Sequence, residues 1–422
     1  MSTIKAPRGV RDILPDESWK WSYVLDKAKD IAEIFGYREI HLPVFEHTEL
    51  FSRGIGETTD VVEKEMYTFQ DRSERSLTLR PEATASMVRA YNQNKFSNQH
   101  QPVKLWCYGP MFRYERPQKG RYRQFWQLDF ESLGSDHPFV DVEVIKLALD
   151  LYSHLGLSNL DVLVNSVGCP QCRPAYKEKL KDYFRADLDR LCDTCKTRFE
   201  RNPLRILDCK KPQCREITEK APDIYSSLCD DCREHFDKVI KGLKHLNIQY
   251  HLDKRLVRGL DYYTKTAFEI LSGELGSQNA VCGGGRYDNL SDEVGGPHLP
   301  GVGFAAGLER IVLVMDQQKC SFGEKPGINV YIIAAQEETR IDAFSLMSEL
   351  RSNDHVSADM DYMNRGMKAQ FKAAVNKGAS FVCILGEDEV SRGVVTVKNL
   401  ETGEQDQVGR DKLVSFLEKE NC

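Results

Sequence analysis

The sequence predicts an α+β protein built on an antiparallel sheet, with a helical cysteine-rich insertion and a separate C-terminal α/β domain. Three observations predict it. Residues 105–131, LWCYGPMFRYERPQKGRYRQFWQLDFE, alternate apolar and polar side chains on both sides of a Pro- and Gly-containing tip, as a long β-hairpin does. Eight of the thirteen cysteines fall between positions 169 and 232, embedded in charged helical sequence. After position 326, apolar strand-like runs alternate with helix-like ones, the pattern of a small domain with a largely parallel sheet. The expected boundaries are 1–164 and 251–325 for the two parts of the sheet domain, 165–250 for the insertion and 326–422 for the last domain.

Taken in order, the chain opens with an amphipathic helix over residues 17–35. Trp21, Val24, Ala28, Ile31, Ala32 and Phe35 recur at helical spacing, and Gly36 stops it. A strand follows over 39–45. Pro43 lacks a backbone donor, which places that strand at an edge or boundary and makes it compatible with a subunit contact. Antiparallel strands continue to about Glu131, with a helix over 82–91. A second helix, over 141–155, carries Val144, Ile145, Leu147, Ala148 and Leu151. After the insertion, strand-rich sequence resumes near Tyr250. In the last domain, 328–334, 380–385 and 393–398 read as strands, and 341–352, 368–377 and 410–418 as helices.

Composition narrows the class. With 422 residues, 41% hydrophobic and 29% charged, the chain reads as a soluble globular protein of two or three domains. No apolar run approaches the length of a membrane span, and the N-terminus, MSTIKAPRGVRD, lacks a signal-peptide layout, so a cytoplasmic location is expected. The net charge of −6 does not advertise a nucleic-acid binder, but the cations are concentrated: residues 104–123 hold six against one acidic residue. After position 325 there are eleven Lys or Arg against sixteen Asp or Glu, so RNA contact there must use a local patch or base edges.

Five segments carry chemistry. In the hairpin, Met111, Arg113 and Glu115 share one face of the first strand, and Phe125, Gln127, Asp129 and Glu131 one face of the second. A turn centred near Gly120 sets Arg113 opposite Gln127. Such a face fits a charged substrate, and equally a solvated face with ordinary ion pairs. In Thr78-Leu79-Arg80-Pro81-Glu82-Ala83-Thr84, a carboxylate and a hydroxyl two residues apart suit an ammonium group, and also suit a plain helix N-terminus. In Val257-Arg258-Gly259-Leu260-Asp261-Tyr262-Tyr263-Thr264, Arg258 offers a planar fork for phosphate or carboxylate, and the adjacent tyrosines face opposite ways if the segment is a strand. In Val281-Cys282-Gly283-Gly284-Gly285-Arg286-Tyr287-Asp288, three glycines mark tight packing, backbone contact with a ligand, or a mobile loop. Residues 301–313, GVGFAAGLERIVL, read as strand, small-residue turn and helix, with room for a ring beside Phe304 and with Arg310 in reach of a polyphosphate.

In order, these segments resemble the three signature motifs of class II aminoacyl-tRNA synthetases: residues 36–45 motif 1, the hairpin motif 2, and 301–313 motif 3. RGLDYYT and CGGGRYD, with RPEATA and the opening PRGVRD, are similar to segments peculiar to the histidyl-tRNA synthetase family. The resemblance spans nearly the whole chain. It implies the class II synthetase fold with a C-terminal anticodon-binding domain. It also implies ATP-dependent activation of L-histidine to histidyl-adenylate, transfer to the 3′ end of tRNA(His), and release of AMP and pyrophosphate. It assigns Arg113 to the α-phosphate, Arg258 to its other side in an electrophilic role, Arg310 to the far phosphates and Phe304 to adenine, with Glu115 and Phe125 completing the ATP set and Mg²⁺ accompanying ATP. Glu82, Thr84 and Gln127 receive the substrate's ammonium and carboxylate, Glu131 and Tyr263 take the two imidazole nitrogens, and Ala83, Arg258 and Tyr262 complete the histidine-binding set. Gln118, Lys119, Arg121 and Arg123 meet the tRNA acceptor end, and Pro43 lies at a homodimer interface. A histidine-sensing regulatory paralogue shares the catalytic fold but typically lacks the C-terminal domain and part of the catalytic set, both kept here.

The sequence departs from the family pattern at Ala83, where many relatives have Gly, and in the insertion. Cys169-x2-Cys172, Cys192-x2-Cys195, Cys209-x4-Cys214 and Cys229-x2-Cys232 are four pairs at zinc-ligand spacing, enough for two structural Zn²⁺ sites; reduced structural thiols are the alternative.

Overall fold

Alternation of residues along its strands gives the main sheet two faces of different chemistry. The computed structural model describes residues 3–420 apart from 57–58, 119 and 353–355. The chain divides into two compact units, Met1–Phe322 and Gly323–Cys422. The strands of the first are β1 (Arg38–Glu39), β2 (Phe45–His47), β3 (Tyr67–Gln70), β4 (Ser76–Leu79), β5 (Val103–Phe112), β6 (Gln124–Leu133), β7 (Leu160–Gly168), β8 (His251–Leu252), β9 (Thr264–Ser272), β10 (Ala280–Arg286) and β11 (Gly301–Gly307). Strands β2, β4 and β3 form a small sheet, and the other eight lie in the order β1-β5-β6-β11-β10-β9-β7-β8. Only the outermost pairs, β1–β5 and β7–β8, are parallel; the pairs between them are antiparallel.

One face of this sheet is apolar. Trp106, Phe130, Phe304 and Phe268 pack there with helices Pro15–Ile34, Pro138–His154 and Leu308–Gln318. Phe130 stacks on Trp106 at 5.8 Å and on Phe304 at 5.2 Å between ring centroids, offset aromatic pairs of the kind that add about 0.5–1.5 kcal/mol each beyond burial. The other face turns Leu105, Cys107 and Met111 toward helix Thr84–Gln93, and beside them holds the polar residues of the site.

The expected strand over 39–45 is broken. The chain leaves the large sheet after Ile40, whose N–H still reaches Trp106 O, and re-enters as β2 in the small sheet. Pro43, without an N–H, sits in the crossing, where no ladder bond is demanded of it. The hairpin register also differs from expectation. Gln127 pairs with Gly109 and Gln124 with Phe112, while Arg113 N–H donates to Arg123 O. The turn does close between Gln118 and Arg121, with Gly120 at φ +72°. Five steps separate Arg113 from Gln118 but only two separate Arg121 from Arg123, so the tip is lopsided and every pairing beyond it shifts.

The insertion builds its own core from helices Arg173–Arg185, Asp193–Arg201, Leu204–Leu207 and Pro212–Thr218. Helix Asp230–His245 returns the chain, burying Phe236, Val239 and Leu243 in the main core. The second unit has strands β12 (Val330–Ala334), β13 (Ala358–Met360), β14 (Phe381–Leu385), β15 (Val394–Asn399) and β16 (Gln405–Gly409), in the order β13-β12-β14-β15-β16. Its sheet is mixed rather than largely parallel: β13, β12 and β14 run parallel, but β15 and β16 join antiparallel. The connections there are too short for a crossover, and the last is a hairpin turning at Gly403 (φ +79°).

Candidate active site

The polar face of β6 is the floor of a cavity of about 310 Å³. Gln127, Asp129 and Glu131 alternate along it. Their neighbours across the ladder on β11 are Gly307, Ala305 and Gly303. The small residues are a steric requirement: a Cβ on Gly303 would lie 1.6 Å from Glu131 Oε2, and one on Gly283 would lie 2.3 Å from Arg258 Nη1. Gly284 presses its backbone on Gly303 O and Phe304, where a Cβ would come within 2.2 Å and 2.6 Å. The triple-glycine segment is therefore strand β10, packed tightly and hollowed for a guanidinium, not a loop. Gly109 does the same on β5, where Arg80 lies in place of a side chain and donates from Nε to Pro110 O at 3.0 Å.

The far wall comes from the chain before helix Thr84–Gln93. Glu82 caps that helix: its carboxylate accepts from Thr84 N at 2.7 Å and Ala85 N at 3.0 Å. Thr84 Oγ1 donates to Glu131 Oε1 at 2.7 Å, and Tyr287 OH donates to Glu131 Oε2. Burial pushes the carboxyl groups of Glu82 and Glu131 above their usual range, and burial with the nearby Glu82 pushes Asp129 up to about 8. Tyr262 and Tyr263 close this end with rings 4.7 Å apart; they do not face opposite ways, because β9 begins only at Thr264 and both rings line the cavity.

The opposite end is cationic. Arg113 donates from Nε to Pro81 O at 2.9 Å and lies over the Phe125 ring at 5.3 Å. Arg310 is held by Ala280 O at 2.6 Å and Gly120 O at 3.3 Å, and Arg121 is pinned by Glu115. Burial, with Arg113 nearby, lowers the pKa of Arg310; burial, then Arg310 and Arg113, lowers that of Arg121. Such like-charge crowding suits a polyanion. Arg258 stands on a separate wall, paired with Glu269 and 5.4 Å over the Tyr263 ring.

The sequence model of the histidyl-tRNA synthetase family matches residues 9–311, and that of an anticodon-binding domain matches residues 329–420. The chain belongs to the histidyl-tRNA synthetase family. It is 51% identical to a histidine–tRNA ligase of Desulforamulus reducens over 97% of this chain and 98% of the relative. With the corresponding ligase of Clostridioides difficile it is 47% identical over 98% and 99%. The apo histidyl-tRNA synthetase of S. aureus superposes with a TM-score of 0.82 at 36% identity, covering 98% of this chain and all of that one. A histidyl-tRNA synthetase structure from Nostoc, at 18% identity and a TM-score of 0.70, shares the fold.

Of the site residues expected from the synthetase motifs, Glu82, Thr84, Arg113, Glu115, Arg121, Phe125, Gln127, Glu131, Arg258, Tyr262, Tyr263 and Arg310 converge on this one cavity. Others go elsewhere. Ala83 is fully buried against the core of helix Thr84–Gln93 and only spaces Glu82 from Thr84. Phe304 also borders the cavity, while its ring stacks on Phe130 in the aromatic core of the apolar face. Gln118 is exposed at the tip, but Arg123 lies 3.7 Å over the Tyr114 ring with Nε on Glu115 O, and Lys119 lies outside the described residues. Sequence reasoning gave no site role to Asp129, Glu269 or Tyr287. Asp129 carried a signal, the shared face with Gln127 and Glu131; the other two depend on cross-strand packing.

The synthetase's insertion brings its cysteines together as 169, 172, 229 and 232, and as 192, 195, 209 and 214, each set with ligand atoms within 4.8 Å of one another. None of these eight is in a disulfide. Tetrahedral zinc with bonds near 2.3 Å spaces its sulfurs about 3.8 Å apart, and Sγ–Sγ distances here are 3.4 Å (Cys169–Cys172), 3.8 Å (Cys169–Cys229) and 3.9 Å (Cys192–Cys209). Backbone N–H groups of Cys229 and Cys192 point at Cys172 and Cys214 sulfurs, at 3.1 Å and 3.4 Å. The donors fit a divalent metal. Beside the first set, Arg173 donates to the carbonyls of Val167, Asp261 and Tyr263. Near the second, Arg205 donates to Arg258 O at 3.2 Å, and Asp208 and Lys210, flanking Cys209, reach the cavity wall.

Proposed function

We propose that this chain is a histidine–tRNA ligase that activates L-histidine with MgATP and passes the histidyl group to tRNA(His). The observation that carries this reading is one cavity with three arginines at one end and a buried, hydrogen-bonded carboxyl and tyrosine set at the other. The histidine carboxylate attacks the α-phosphorus, an oxygen–phosphorus bond forms, and pyrophosphate leaves with the electron pair of the broken bond. Both partners are anions, so charge must be neutralised as they meet. Arg113 on one side and Arg258 on the other supply that charge, Arg310 holds the departing phosphates, and Phe125 under Arg113 offers an aromatic surface to adenine. Glu131, fixed by Thr84 and Tyr287, receives one imidazole nitrogen and Tyr263 the other, a match for a ring with a donor and an acceptor on opposite edges. A ribose hydroxyl of the tRNA then attacks the acyl carbon and AMP leaves; the exposed tip around Gln118 is the surface offered to the acceptor end. Residues 329–420 read the anticodon end. The two four-cysteine sets hold structural zinc, and the enzyme works as a homodimer in the cytoplasm.

The test is histidine-dependent exchange of pyrophosphate into ATP, then charging of tRNA(His). Wild type should exchange with histidine alone among amino acids, and Arg258→Ala should lower exchange at least 10³-fold, on the order of 4 kcal/mol of transition-state stabilisation, while histidine binding stays measurable. Well-folded wild type that exchanges with no amino acid would refute the enzyme reading.

A further inference from the structure

Between β8 and β9, residues 253–263 carry Arg258, Tyr262 and Tyr263 with neither helix nor strand. Such a segment has no ladder to satisfy its backbone, so its carbonyls must find donors elsewhere. Three of them find donors in the insertion. Arg205 Nη1 donates to Arg258 O at 3.2 Å. Arg173 donates from Nη1 to Asp261 O at 3.4 Å and from Nη2 to Tyr263 O, with its Nε on Val167 O at 3.0 Å. Asn202 adds a bond from Nδ2 to Asp261 Oδ1 at 3.2 Å. A guanidinium is rigid, planar and always charged, so these bonds hold the segment in a fixed geometry.

The two arginines are placed by different cysteine sets. Arg173 follows Cys172, and Cys169 O accepts from the N–H groups of both residues, each at 3.1 Å. Arg205 lies between Cys195 and Cys209 in helix Leu204–Leu207, where Ile206 O accepts from Cys209 N at 3.0 Å. Asp60 steadies its guanidinium at 3.7 Å, and Arg198 Nη1 donates to its carbonyl at 3.1 Å. Arg173 thus depends on the set 169, 172, 229 and 232, and Arg205 on the set 192, 195, 209 and 214.

We propose that these arginines are positioning residues with separate tasks. Arg205, held by one cysteine set, aims Arg258 at the reacting phosphate; Arg173, held by the other, sets Tyr263 against the substrate ring. This rests on the histidine–tRNA ligase reading above. Neither arginine lines the cavity, so each acts through the backbone it holds. Arg258 stabilises the transition state, so its displacement lowers the exchange rate, whereas a displaced Tyr263 weakens histidine binding.

The test measures pyrophosphate exchange and, by calorimetry, histidine affinity in the full chain, with metal content as the check that the insertion is folded. Arg205→Ala should lower the exchange rate at saturating histidine about 100-fold and leave the histidine Kd within about twofold. Arg205→Lys, which keeps a cationic donor, should recover at least about tenfold of that loss. Arg173→Ala should raise the histidine Kd about 10-fold and leave the saturated rate within about threefold. Cys195→Ser should follow Arg205→Ala, and Cys172→Ser should follow Arg173→Ala. In wild type, chelation should speed amide hydrogen exchange over residues 256–263 at least about tenfold while β10 keeps its protection. Equal losses of rate and affinity in both arginine variants, wild-type values in either, or unchanged hydrogen exchange after chelation would each overturn the proposal. Wild type that exchanges with no amino acid would instead sink the ligase reading itself.

Discussion

Arg286 is the largest fully buried side chain of the molecule, and its partners explain how a guanidinium survives there. It forks onto Asp141, donates to Asp288 at 3.1 Å and to Ser135 O at 2.8 Å, while His235 reaches Asp141 at 3.2 Å. Within the segment CGGGRYD, Arg286 and Asp288 thus form a structural charge network, while Cys282, Gly283 and Tyr287 line the cavity. Burial acts to raise the Asp141 pKa, but Arg286 and then His235 outweigh it and hold the carboxyl well below the usual range. A depressed carboxylate contributes stability that is complete above the unfolded pKa, near 4, and is lost as pH falls through the folded value. Asp141→Asn should therefore cost about 3–5 kcal/mol at pH 7, because it strands a buried cation, and the difference from wild type should shrink as pH falls below about 4. Urea unfolding at pH 7 and at pH 3 measures both.

At the scale of elements, much was legible and some was not, for physical reasons. The helices came through because apolar residues at 3.6-residue spacing must bury one stripe, as Trp21, Val24, Ala28, Ile31 and Ala32 do. The hairpin was readable from alternation, and so was the set of odd-numbered residues on its polar face. Its register was not, since register depends on how residues 114–117 fold, and nothing in their identities fixes an asymmetric tip. That the Phe304 ring stacks in the core while the residue borders the cavity was not legible, because ring-beside-glycine reads alike on either face of a strand. The four cysteine pairs were plain, but their partnering (first with fourth, second with third) is a tertiary fact. That nesting makes a specific prediction. Protein purified without chelator should hold two zinc ions per chain; Cys172→Ser and Cys195→Ser should each remove one, and the cobalt-substituted protein should show the intense visible bands of tetrahedral thiolate coordination. Reduced structural thiols alone would give less than half an equivalent of metal and no such bands.

At the scale of the whole molecule, 58 Lys and Arg against 64 Asp and Glu leave a net charge of −6, yet a site for anions exists because a few of those cations are gathered in one place. Arg113, Arg121, Arg258 and Arg310 all line one cavity, while no helix among the described residues is long and apolar enough to cross a membrane. The small sheet β2-β4-β3 leaves Val44, Phe45 and Phe69 exposed at 38%, 52% and 43%, next to the crossing at Pro43. A clustered apolar surface of this kind marks an interaction site, and a second copy is the partner proposed for it. Phe45→Glu should shift the protein from dimer to monomer in analytical ultracentrifugation at micromolar concentration; an unchanged sedimentation profile would put the interface elsewhere.

The insertion's grip on the chain that carries Arg258 bears on what can be removed. Arg173 and Arg205 supply donors to the carbonyls of Val167, Arg258, Asp261 and Tyr263. Residues 169–232 look like an accessory that a protein engineer would trim to obtain a smaller ligase. Cutting there would strip the loop of its scaffolding from outside the sheet. A minimal version of this enzyme would have to replace those two arginines before it could dispense with the cysteines.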